Sequence, residues 1–308
     1  MRVMVCGGSG FLGSHVADAL SEAGHAVRIF DQRRSPHRRP NQEMVIGDIL
    51  DLEQVTEAAA GCAAVYNFAG IADLDDATTK PLDTVRLNVL GNANLLQAAH
   101  AARCARYVYA STIYVHSDLG GFYRCSKQAA EAYVEEYQRR YGLAFTILRY
   151  GTLYGPRSDA RNSIYRYLHQ ALTQQRIRCA GTGDEVREYI HVRDAAALSA
   201  AILAPSYRNR HIIVTGHHPM KFRELLSMIR EMLGGRIVIE FEAERNAAHY
   251  TYTPYTFLPK IGQKLTSPSY TDLGQGLLEC LQALSRDAPA APRRIRARAR
   301  ARTPLHAA

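Results

Sequence analysis

The sequence lacks a stretch that could cross a membrane, because no apolar run approaches the ~20 residues that a spanning helix needs. We also expect no secretory leader, since residues 1–6 read as a buried strand that runs directly into Gly7. The six cysteines include no C-x-x-C pair and no spacing typical of a metal site. We therefore expect packing cysteines, no bound metal, and a location in the reducing cytoplasm.

The sequence also has no excess of acidic residues, and its formal net charge is +9. Most of this charge comes from arginines near the C-terminus that alternate mainly with alanine: Arg293, Arg294, Arg296, Arg298, Arg300 and Arg302. Without them the chain is only mildly basic, so nucleic acid is not expected as a partner. Residues 287–308 are rich in Pro, Ala and Arg, and this composition predicts a disordered tail.

Three regularly spaced glycines follow the first strand. Gly7, Gly10 and Gly13 lie three residues apart, and from Phe11 onward apolar residues recur at helical spacing. Strand, glycine turn and helix form the first half of a βαβ unit. Glycine there lets a pyrophosphate approach backbone N–H groups at the helix N-terminus, where the helix dipole favours negative charge. The stretch predicts a dinucleotide site, with Leu12 in the first helical turn beside it.

An acidic residue, Asp31, closes the second predicted strand roughly 20 residues after the glycines. A carboxylate at this place accepts hydrogen bonds from the adenosine ribose and repels a 2′-phosphate, which favours NAD over NADP. Arg33 and Arg34 follow directly. They leave two interpretations open, a solvated basic loop or a pair that binds a 2′-phosphate.

Predicted strands and helices alternate through the first half of the chain. Long helices are expected at 82–102 and 123–141, and the last strand of this half at 144–148. The order predicts an α/β fold, a Rossmann-type doubly wound parallel sheet, followed by a smaller mixed α/β C-terminal substrate lobe. We expect an NAD-binding domain at 1–160, with 187–210 packed back on it, and a substrate lobe at 161–186 and 211–286.

Tyr123 and Lys127 form a Y-x-x-x-K pattern at the start of a predicted helix. The side chains lie one turn apart on the same face, where the lysine ammonium group is expected to lower the phenol's pKa from about 10. Such a phenol is a usable base near neutral pH. Thr112 ends the fifth strand, where parallel sheets bind ligands, and its hydroxyl can hold the substrate oxygen. We predict these three residues to be catalytic.

The sequence resembles the extended short-chain dehydrogenase/reductases, in particular the NAD-dependent nucleotide-sugar epimerases and dehydratases. The resemblance covers roughly residues 1–285 and is carried by the glycine turn, Asp31, Gly47-Asp48, Asn88, Ser111-Thr112, Tyr123 with Lys127, Leu148-Arg149-Tyr150, Tyr154-Gly155-Pro156-Arg157, Gly181-Thr182-Gly183 and residues 187–194. It implies a tightly held NAD and a nucleoside-diphosphate sugar as substrate. It also implies a homodimer built from helices 82–102 and 123–141.

The resemblance implies binding residues as well. For the cofactor they are Gly7, Gly10, Phe11, Leu12, Gly13, Asp31, Asp48, Ile49, Phe68, Ala69, Gly70, Asn88, Lys127 and Tyr150. For the substrate they are Thr112, Tyr123, Thr152 and Arg187. The position of Arg187 contacts the phosphates of the sugar nucleotide in the family, and a guanidinium suits that contact by its bidentate geometry.

The sequence departs from the family's pattern near the predicted catalytic residues. Ile113 and Tyr114 follow Thr112 where dehydratases commonly place Asp-Glu, so no carboxylic acid is available there to expel water from the sugar. His116 is interpreted as a substitution in a structural position. Thr152 replaces an asparagine that is common in the family, which changes one contact to the substrate.

From these features we predict an NAD-dependent nucleotide-sugar epimerase that inverts C4 of a UDP-sugar through a transient ketone. An NADPH-dependent keto-sugar reductase and a sugar-nucleotide dehydratase or decarboxylase are the alternative enzymes. A dinucleotide-sensing binding protein is the alternative outside catalysis. The intact Thr112, Tyr123 and Lys127 disfavour it, because a sensor has no need of them.

Overall fold

The computed structural model describes residues 1–242, 263–266 and 269–287 of the 308-residue chain. Its strands are β1 (Arg2–Cys6), β2 (Ala26–Asp31), β3 (Glu43–Ile46), β4 (Ala64–Asn67), β5 (Arg106–Thr112), β6 (Phe145–Tyr150), β7 (Thr152–Tyr154), β8 (Arg176–Ala180), β9 (Val186–His191), β10 (Arg210–Val214), β11 (Pro219–Lys221), β12 (Val238–Glu242) and β13 (Gln263–Leu265). Its α-helices are α1 (Phe11–Glu22), α2 (Leu52–Ala59), α3 (Leu74–Thr79), α4 (Pro81–Val85), α5 (Gly91–Ala101), α6 (Gly121–Tyr141), α7 (Ser163–Gln174), α8 (Val192–Ala201), α9 (Phe222–Met232) and α10 (Leu273–Asp287). The tail predicted at 287–308 lies outside the described residues, apart from the residue that ends α10.

Eight strands form one sheet in the order β13-β10-β6-β5-β4-β1-β2-β3, and every neighbouring pair is parallel. The central strands are apolar because both faces are covered; Val3, Met4 and Val5 of β1 are all 0% exposed. Helices α2, α5 and α6 pack on one face, and α1 and α8 pack on the other. The predicted Rossmann-type doubly wound sheet is confirmed.

The direction in which strands are added reverses beside β1, which lies between β2 and β4. From β1 the chain adds β2 and β3 on one side, then returns to add β4, β5 and β6 on the other. In open parallel sheets such a reversal leaves a crevice at the carboxyl ends of the strands, where ligands bind. Residues that follow β1, β2, β4 and β5 therefore lie at one edge of the sheet.

A smaller group of elements packs around a core of its own, formed largely by α7, α9 and α10. It includes a three-stranded sheet, β11-β9-β7, and a two-stranded sheet, β12-β8. The structure corrects the predicted boundary of this lobe, because β10 and β13 pair within the large sheet. Residues 211–286 therefore do not lie wholly in the smaller lobe. Pairing between strands far apart in the chain leaves no local pattern that would predict this.

The long helix predicted at 82–102 is interrupted. Helices α4 and α5 are joined by a π-helical turn at Arg86–Leu90. The turn directs Asn88 inward, where its amide bonds the backbone N–H and carbonyl of Ile71 and the hydroxyl of Ser126. π-Helical turns within helices frequently occur at functional sites.

Short elements escape prediction because strands of three to six residues offer too few positions for a period to show. The missed elements are α3, β7, β8, β9, β11 and β13. His191 ends β9 and is the N-cap of α8. Within the described ranges, no helix combines the length and apolar character needed to cross a membrane.

Candidate active site

The glycine turn between β1 and α1 is packed so closely that side chains do not fit. Gly7 has a φ of +74°, and a Cβ there would lie 2.6 Å from the backbone nitrogen of Ala69. A Cβ on Gly13 would collide with the carbonyl oxygen of Gly7. Gly10, by contrast, is exposed, and a Cβ there would meet the Gly7 oxygen at 3.3 Å. The turn thus brings bare backbone to the surface at the strand reversal.

Helix α1 begins at Phe11 directly after this turn, with Gly10 as its N-cap. No side chain caps the helix, and its first turn contains no acidic residue. The N–H groups of Phe11, Leu12 and Gly13 therefore have no side-chain cap, and the positive end of the helix dipole faces the turn. This arrangement fits the pyrophosphate of a dinucleotide.

Asp31 ends β2 beside the glycine turn. Its carboxylate accepts hydrogen bonds from the backbone N–H groups of Ser9 at 3.0 Å and Arg33 at 3.2 Å. These bonds hold the carboxylate against the turn and leave lone pairs on both oxygens for further donors. Arg33 and Arg34 are exposed on the loop that follows.

Asp48 and Ile49 follow β3 on the same edge of the sheet. The Asp48 carboxylate accepts a hydrogen bond from the backbone of Leu50 at 2.9 Å. Ile49 is 6% exposed, and a Cβ on Gly91 would lie 2.5 Å from its Cδ1 atom. The two residues thus connect the end of β3 to the start of α5.

The turn after β4, residues 68–70, adjoins the glycine turn. Ala69 lies against Gly7, and a Cβ on Gly70 would collide with the amide oxygen of Asn88. The ring of Phe68 lies 6.4 Å from that of Tyr150, between centres. Predicted cofactor residues from β4, the π-helical turn and β6 therefore gather where the strand order reverses.

Tyr150 is oriented in a way that the sequence does not predict. Its hydroxyl hydrogen-bonds the hydroxyl of Ser199 on α8 at 2.6 Å. Burial raises the pKa of this phenol well above its usual value, although the Ser199 bond opposes the shift. The hydroxyl is engaged inside the protein, so the ring and backbone of Tyr150 remain as the means to contact a cofactor.

Thr112, Tyr123 and Lys127 come together at the carboxyl end of β5. Thr112 is 5% exposed, its hydroxyl accepts from the backbone N–H of Tyr114 at 3.3 Å, and it lies near enough to the Tyr123 phenol to favour the phenolate. Tyr123 and Lys127 are 9% and 7% exposed, one turn apart on α6. Lys127 Nζ donates to the Ala110 carbonyl at 2.9 Å and lies 5.7 Å from the centre of the Tyr123 ring. The predicted catalytic residues form one compact, desolvated group.

Burial dominates the electrostatics of this group. It raises the pKa of Tyr123 to about 12, and the hydrogen bond with Thr112 only partly opposes the shift. It lowers the pKa of Lys127 to about 8, against the attraction of Glu131. The net lowering of the phenol's pKa that the sequence predicts is therefore not found for the protein alone, because burial disfavours the phenolate and outweighs the hydrogen bond with Thr112.

The predicted substrate residues Thr152 and Arg187 lie in the smaller lobe. Thr152, in β7, pairs with Tyr189 of β9, two residues beyond Arg187. Both predicted residues are partly exposed, and the Arg187 guanidinium donates to the carbonyl of Val186 at 3.0 Å. The structure thus places them on elements other than those that carry Tyr123.

A buried polar network beside Thr112, Tyr123 and Lys127 was not predicted. Glu131 on α6 bonds Arg149 on β6 and Ser111 on β5, and all three are 5% exposed or less. The available signal was spacing, since Glu131 follows Tyr123 and Lys127 at successive turns of one helix face.

Comparison with known proteins decides the family. Residues 3–216 match the family model described as "NAD dependent epimerase/dehydratase family". The chain belongs to this family. It is therefore an enzyme of the epimerase/dehydratase type, and the predicted NAD cofactor is confirmed. The uncapped start of α1 and the carboxylate of Asp31 fit the pyrophosphate and ribose of that cofactor.

Members similar to this chain carry different names. A putative UDP-glucose 4-epimerase of Methanocaldococcus jannaschii is 26% identical over 270 residues, which cover 80% of this chain and 88% of that protein. A dTDP-glucose 4,6-dehydratase of Mycobacterium tuberculosis is 27% identical over 308 residues, covering 90% and 91%. A solved UDP-glucuronic acid 4-epimerase from Bacillus cereus, in complex with UDP-glucuronic acid and NAD, has a TM-score of 0.82 at 20% identity, covering 94% of this chain and 100% of that one. Family membership alone thus leaves the reaction open.

Proposed function

We propose that the chain is a nucleotide-sugar epimerase that inverts C4 of a UDP-sugar through a transient 4-keto sugar. The observation that carries this proposal is a buried proton-transfer group beside a 3₁₀ turn, Ile113–His116, that contains no carboxylate. Ile113 is 2% exposed and packs with Ile213, and the Tyr114 ring lies edge-on to that of Tyr123, 6.3 Å between centres. Tyr123 can move a proton, whereas the turn that follows Thr112 supplies no acid to expel water.

In this proposal Tyr123 moves the proton of the sugar hydroxyl. Its phenolate oxygen accepts the proton from the C4 hydroxyl and returns it after the ketone has turned over, so no net proton is consumed. Thr112 hydrogen-bonds the same hydroxyl and fixes its orientation. Lys127, protonated below about pH 8, stabilises the phenolate. Bound NAD would supply the hydride acceptor and donor for the sugar carbon, and its positive charge would favour the phenolate.

We assign the cofactor contacts to the groove at the strand reversal. The glycine turn and the first turn of α1 hold the pyrophosphate through backbone N–H groups, and Asp31 accepts from the adenosine ribose. Lys127 binds the nicotinamide ribose. The remaining proposed contacts are Asp48, Ile49, Phe68, Ala69, Gly70, Asn88 and the ring or backbone of Tyr150.

We assign the nucleotide part of the substrate to the smaller lobe. Arg187 offers a partly exposed guanidinium for the diphosphate, and Thr152 contributes a hydroxyl from the adjacent strand. The names of the similar proteins support a nucleoside-diphosphate sugar, since they specify UDP-glucose, dTDP-glucose and UDP-glucuronic acid.

A dehydratase is the second candidate function, because a dTDP-glucose 4,6-dehydratase matches 90% of the chain. That reaction requires an acid to protonate the leaving hydroxyl. Ile113 and Tyr114 occupy the two positions after Thr112, and neither supplies a carboxylic acid. The epimerase is therefore favoured over the dehydratase.

The test incubates the purified protein with UDP-glucose, UDP-galactose and UDP-glucuronic acid in deuterated water, without added cofactor, and follows the sugars by NMR. An epimerase returns its own hydride, so we expect inversion at C4 with the C4 hydrogen retained. Loss of water or carbon dioxide would indicate a dehydratase or decarboxylase. Stoichiometric consumption of NADPH, with no reaction in its absence, would indicate a reductase.

Tyr123→Phe separates the proposed chemistry from binding. We expect it to keep the fold and bound NAD while turnover falls by about 10²–10⁴, the usual contribution of a general acid–base group. Tyr133→Phe is the matched control, because Tyr133 lies on the same helix and is 49% exposed. Equal turnover of the two variants contradicts the assignment.

We also propose that two copies associate through α4–α5 and α6, which pack side by side. Large apolar side chains remain exposed on these helices: Leu82, Val85, Leu90, Phe122, Tyr133 and Tyr141. Leu82 is 79% exposed, and Phe122 and Tyr133 are about three turns apart on one face of α6. Exposed apolar side chains on neighbouring helices indicate an interface.

A further inference from the structure

Glu131 connects the catalytic helix to two neighbouring strands at once. Its Oε1 accepts hydrogen bonds from the Ser111 hydroxyl at 2.5 Å and from Arg149 Nε at 3.0 Å, and its Oε2 accepts from Arg149 Nη2 at 2.7 Å. Ser111 and Arg149 face each other in the register of β5 and β6. One carboxylate therefore ties α6 to the ends of the strands beside the catalytic group.

Fold stability alone does not account for this arrangement. The side chains of Glu131 and Arg149 are 7% and 3% exposed, and an ion pair so deeply buried seldom stabilises a fold more than apolar residues of the same volume. Within the described part of the chain, the buried cations Lys127 and Arg149 also share a single buried anion, Glu131. Of these two cations, Lys127 lies 5.7 Å from the centre of the Tyr123 ring, where negative charge develops during proton transfer.

We propose that Glu131 is a positioning residue of the active site, which orients Thr112 through Ser111 and holds Lys127 in place as a charged group beneath the Tyr123 phenol. This inference rests on the proposed acid–base function. Ser111 immediately precedes Thr112, so anchoring its side chain anchors the strand end from which Thr112 reaches the phenol. Glu131 itself contacts neither substrate nor cofactor in this assignment.

The charge on Glu131 acts directly on Lys127, one turn away. Lys127 Nζ lies 5.0 Å from the ring centre of Tyr109 and 5.7 Å from that of Tyr123, and Glu131 follows one turn later on α6. Three further titratable groups lie beyond them: Arg149 is bound by Glu131, His116 contacts Arg149, and Tyr114 contacts Tyr123. Tyr109 stays neutral, because burial raises its pKa well above the usual value. Burial lowers the pKa of Lys127 to about 8, and Glu131 opposes this shift. Without that carboxylate, Lys127 loses its proton at a lower pH.

Glu131→Gln keeps the side-chain size and removes the charge. We expect KM to be nearly unchanged. The midpoint at which kcat declines on the basic side should move about one pH unit lower. At pH values above both midpoints, kcat of the variant should therefore be about tenfold below that of the wild type. Glu135→Gln is the matched control, since Glu135 lies one turn further on α6 and pairs with His211 at 2.9 Å and Arg139 at 3.2 Å. A basic limb that stays at the wild-type pH in Glu131→Gln overturns the inference, because a merely structural role lowers kcat without moving the limb.

Lys127 can also be observed without substrate. The chain contains five lysines, so the ¹³C-labelled lysine resonance of Lys127 is assigned by its loss in Lys127→Met. We expect a titration midpoint near pH 8 in the wild type and about one unit lower in Glu131→Gln. A lowered midpoint in a protein that converts no nucleotide sugar refutes the proposed function while supporting the coupling. Turnover with an unchanged midpoint overturns the coupling alone.

A second variant covers the case in which Glu131→Gln does not fold, since that change leaves Arg149 buried without its anion. The paired variant Glu131→Leu/Arg149→Met replaces both charges by apolar side chains of similar length. We expect it to fold, to retain NAD, and to lower the Lys127 midpoint by less than Glu131→Gln does, because the repulsion from Arg149 is removed together with the attraction of Glu131. A wild-type midpoint in this folded variant overturns the inference.

Discussion

Acidification is expected to destabilise the protein through one buried histidine on α1, the helix that follows the glycine turn. His15, on α1, is 7% exposed, and its Nε2 atom bonds the carbonyl of Pro156 at 3.0 Å. Burial lowers its pKa from 6.5 to about 4, although the bond to Pro156 opposes the shift. The folded protein therefore holds this ring neutral at pH values where the unfolded chain protonates it.

The sign and size of the effect follow from the two pKa values. The stability that the protein gains from a neutral His15 is fully present above the unfolded pKa of 6.5, and it is lost as the pH falls towards about 4. A difference of about 2.5 units corresponds to roughly 3 kcal/mol in the free energy of unfolding. This is a substantial fraction of the stability of a typical domain, which is about 5–15 kcal/mol.

The assay is urea unfolding of the wild type and His15→Gln at a series of pH values between about 7 and 4. Groups common to both proteins cancel in the difference, so the advantage of the wild type should shrink by roughly 3 kcal/mol across this range. His169→Gln, which changes an exposed histidine on α7, should follow the wild type. A difference between wild type and His15→Gln that does not change with pH refutes the reasoning.

The remaining predictions concern the cofactor, the assembly and the tail. In a direct titration, Asp31→Ala should bind NAD more weakly and should bind NADP better relative to NAD, because the carboxylate that repels a 2′-phosphate is gone while Arg33 and Arg34 remain. A wild type that binds NADP more tightly than NAD would contradict this prediction. Val85→Glu with Tyr133→Glu should convert a dimer into a monomer in light scattering, whereas Leu172→Glu, a change at a residue 36% exposed on α7, should not. A chain that ends after Asp287 should keep its turnover and melting temperature, because the residues beyond are rich in Pro, Ala and Arg and have little apolar surface to bury. A loss of turnover or a lower melting temperature would show that the tail packs on the protein.

The sequence by itself determined the features that depend on neighbouring residues. A strand, glycines at fixed intervals and a periodic helix predict the βαβ start, because each acts through local backbone geometry. Alternation of strands and helices predicts the doubly wound sheet, since parallel strands need crossover helices. The spacing of Tyr123 and Lys127 predicts that they share a helix face, and Asp31 is predicted from its place at a strand end.

Only the tertiary structure decided what depends on residues far apart in the chain. Pairing of β10 with β6 moved a strand from the smaller lobe to the large sheet, and no local period marks such a partner. Packing turned the Tyr150 hydroxyl towards Ser199 and joined Glu131 to Arg149 and Ser111. Burial also reversed the expected shift of the Tyr123 pKa, because desolvation is set by every element packed around a group, whereas a motif contains only the nearest charges.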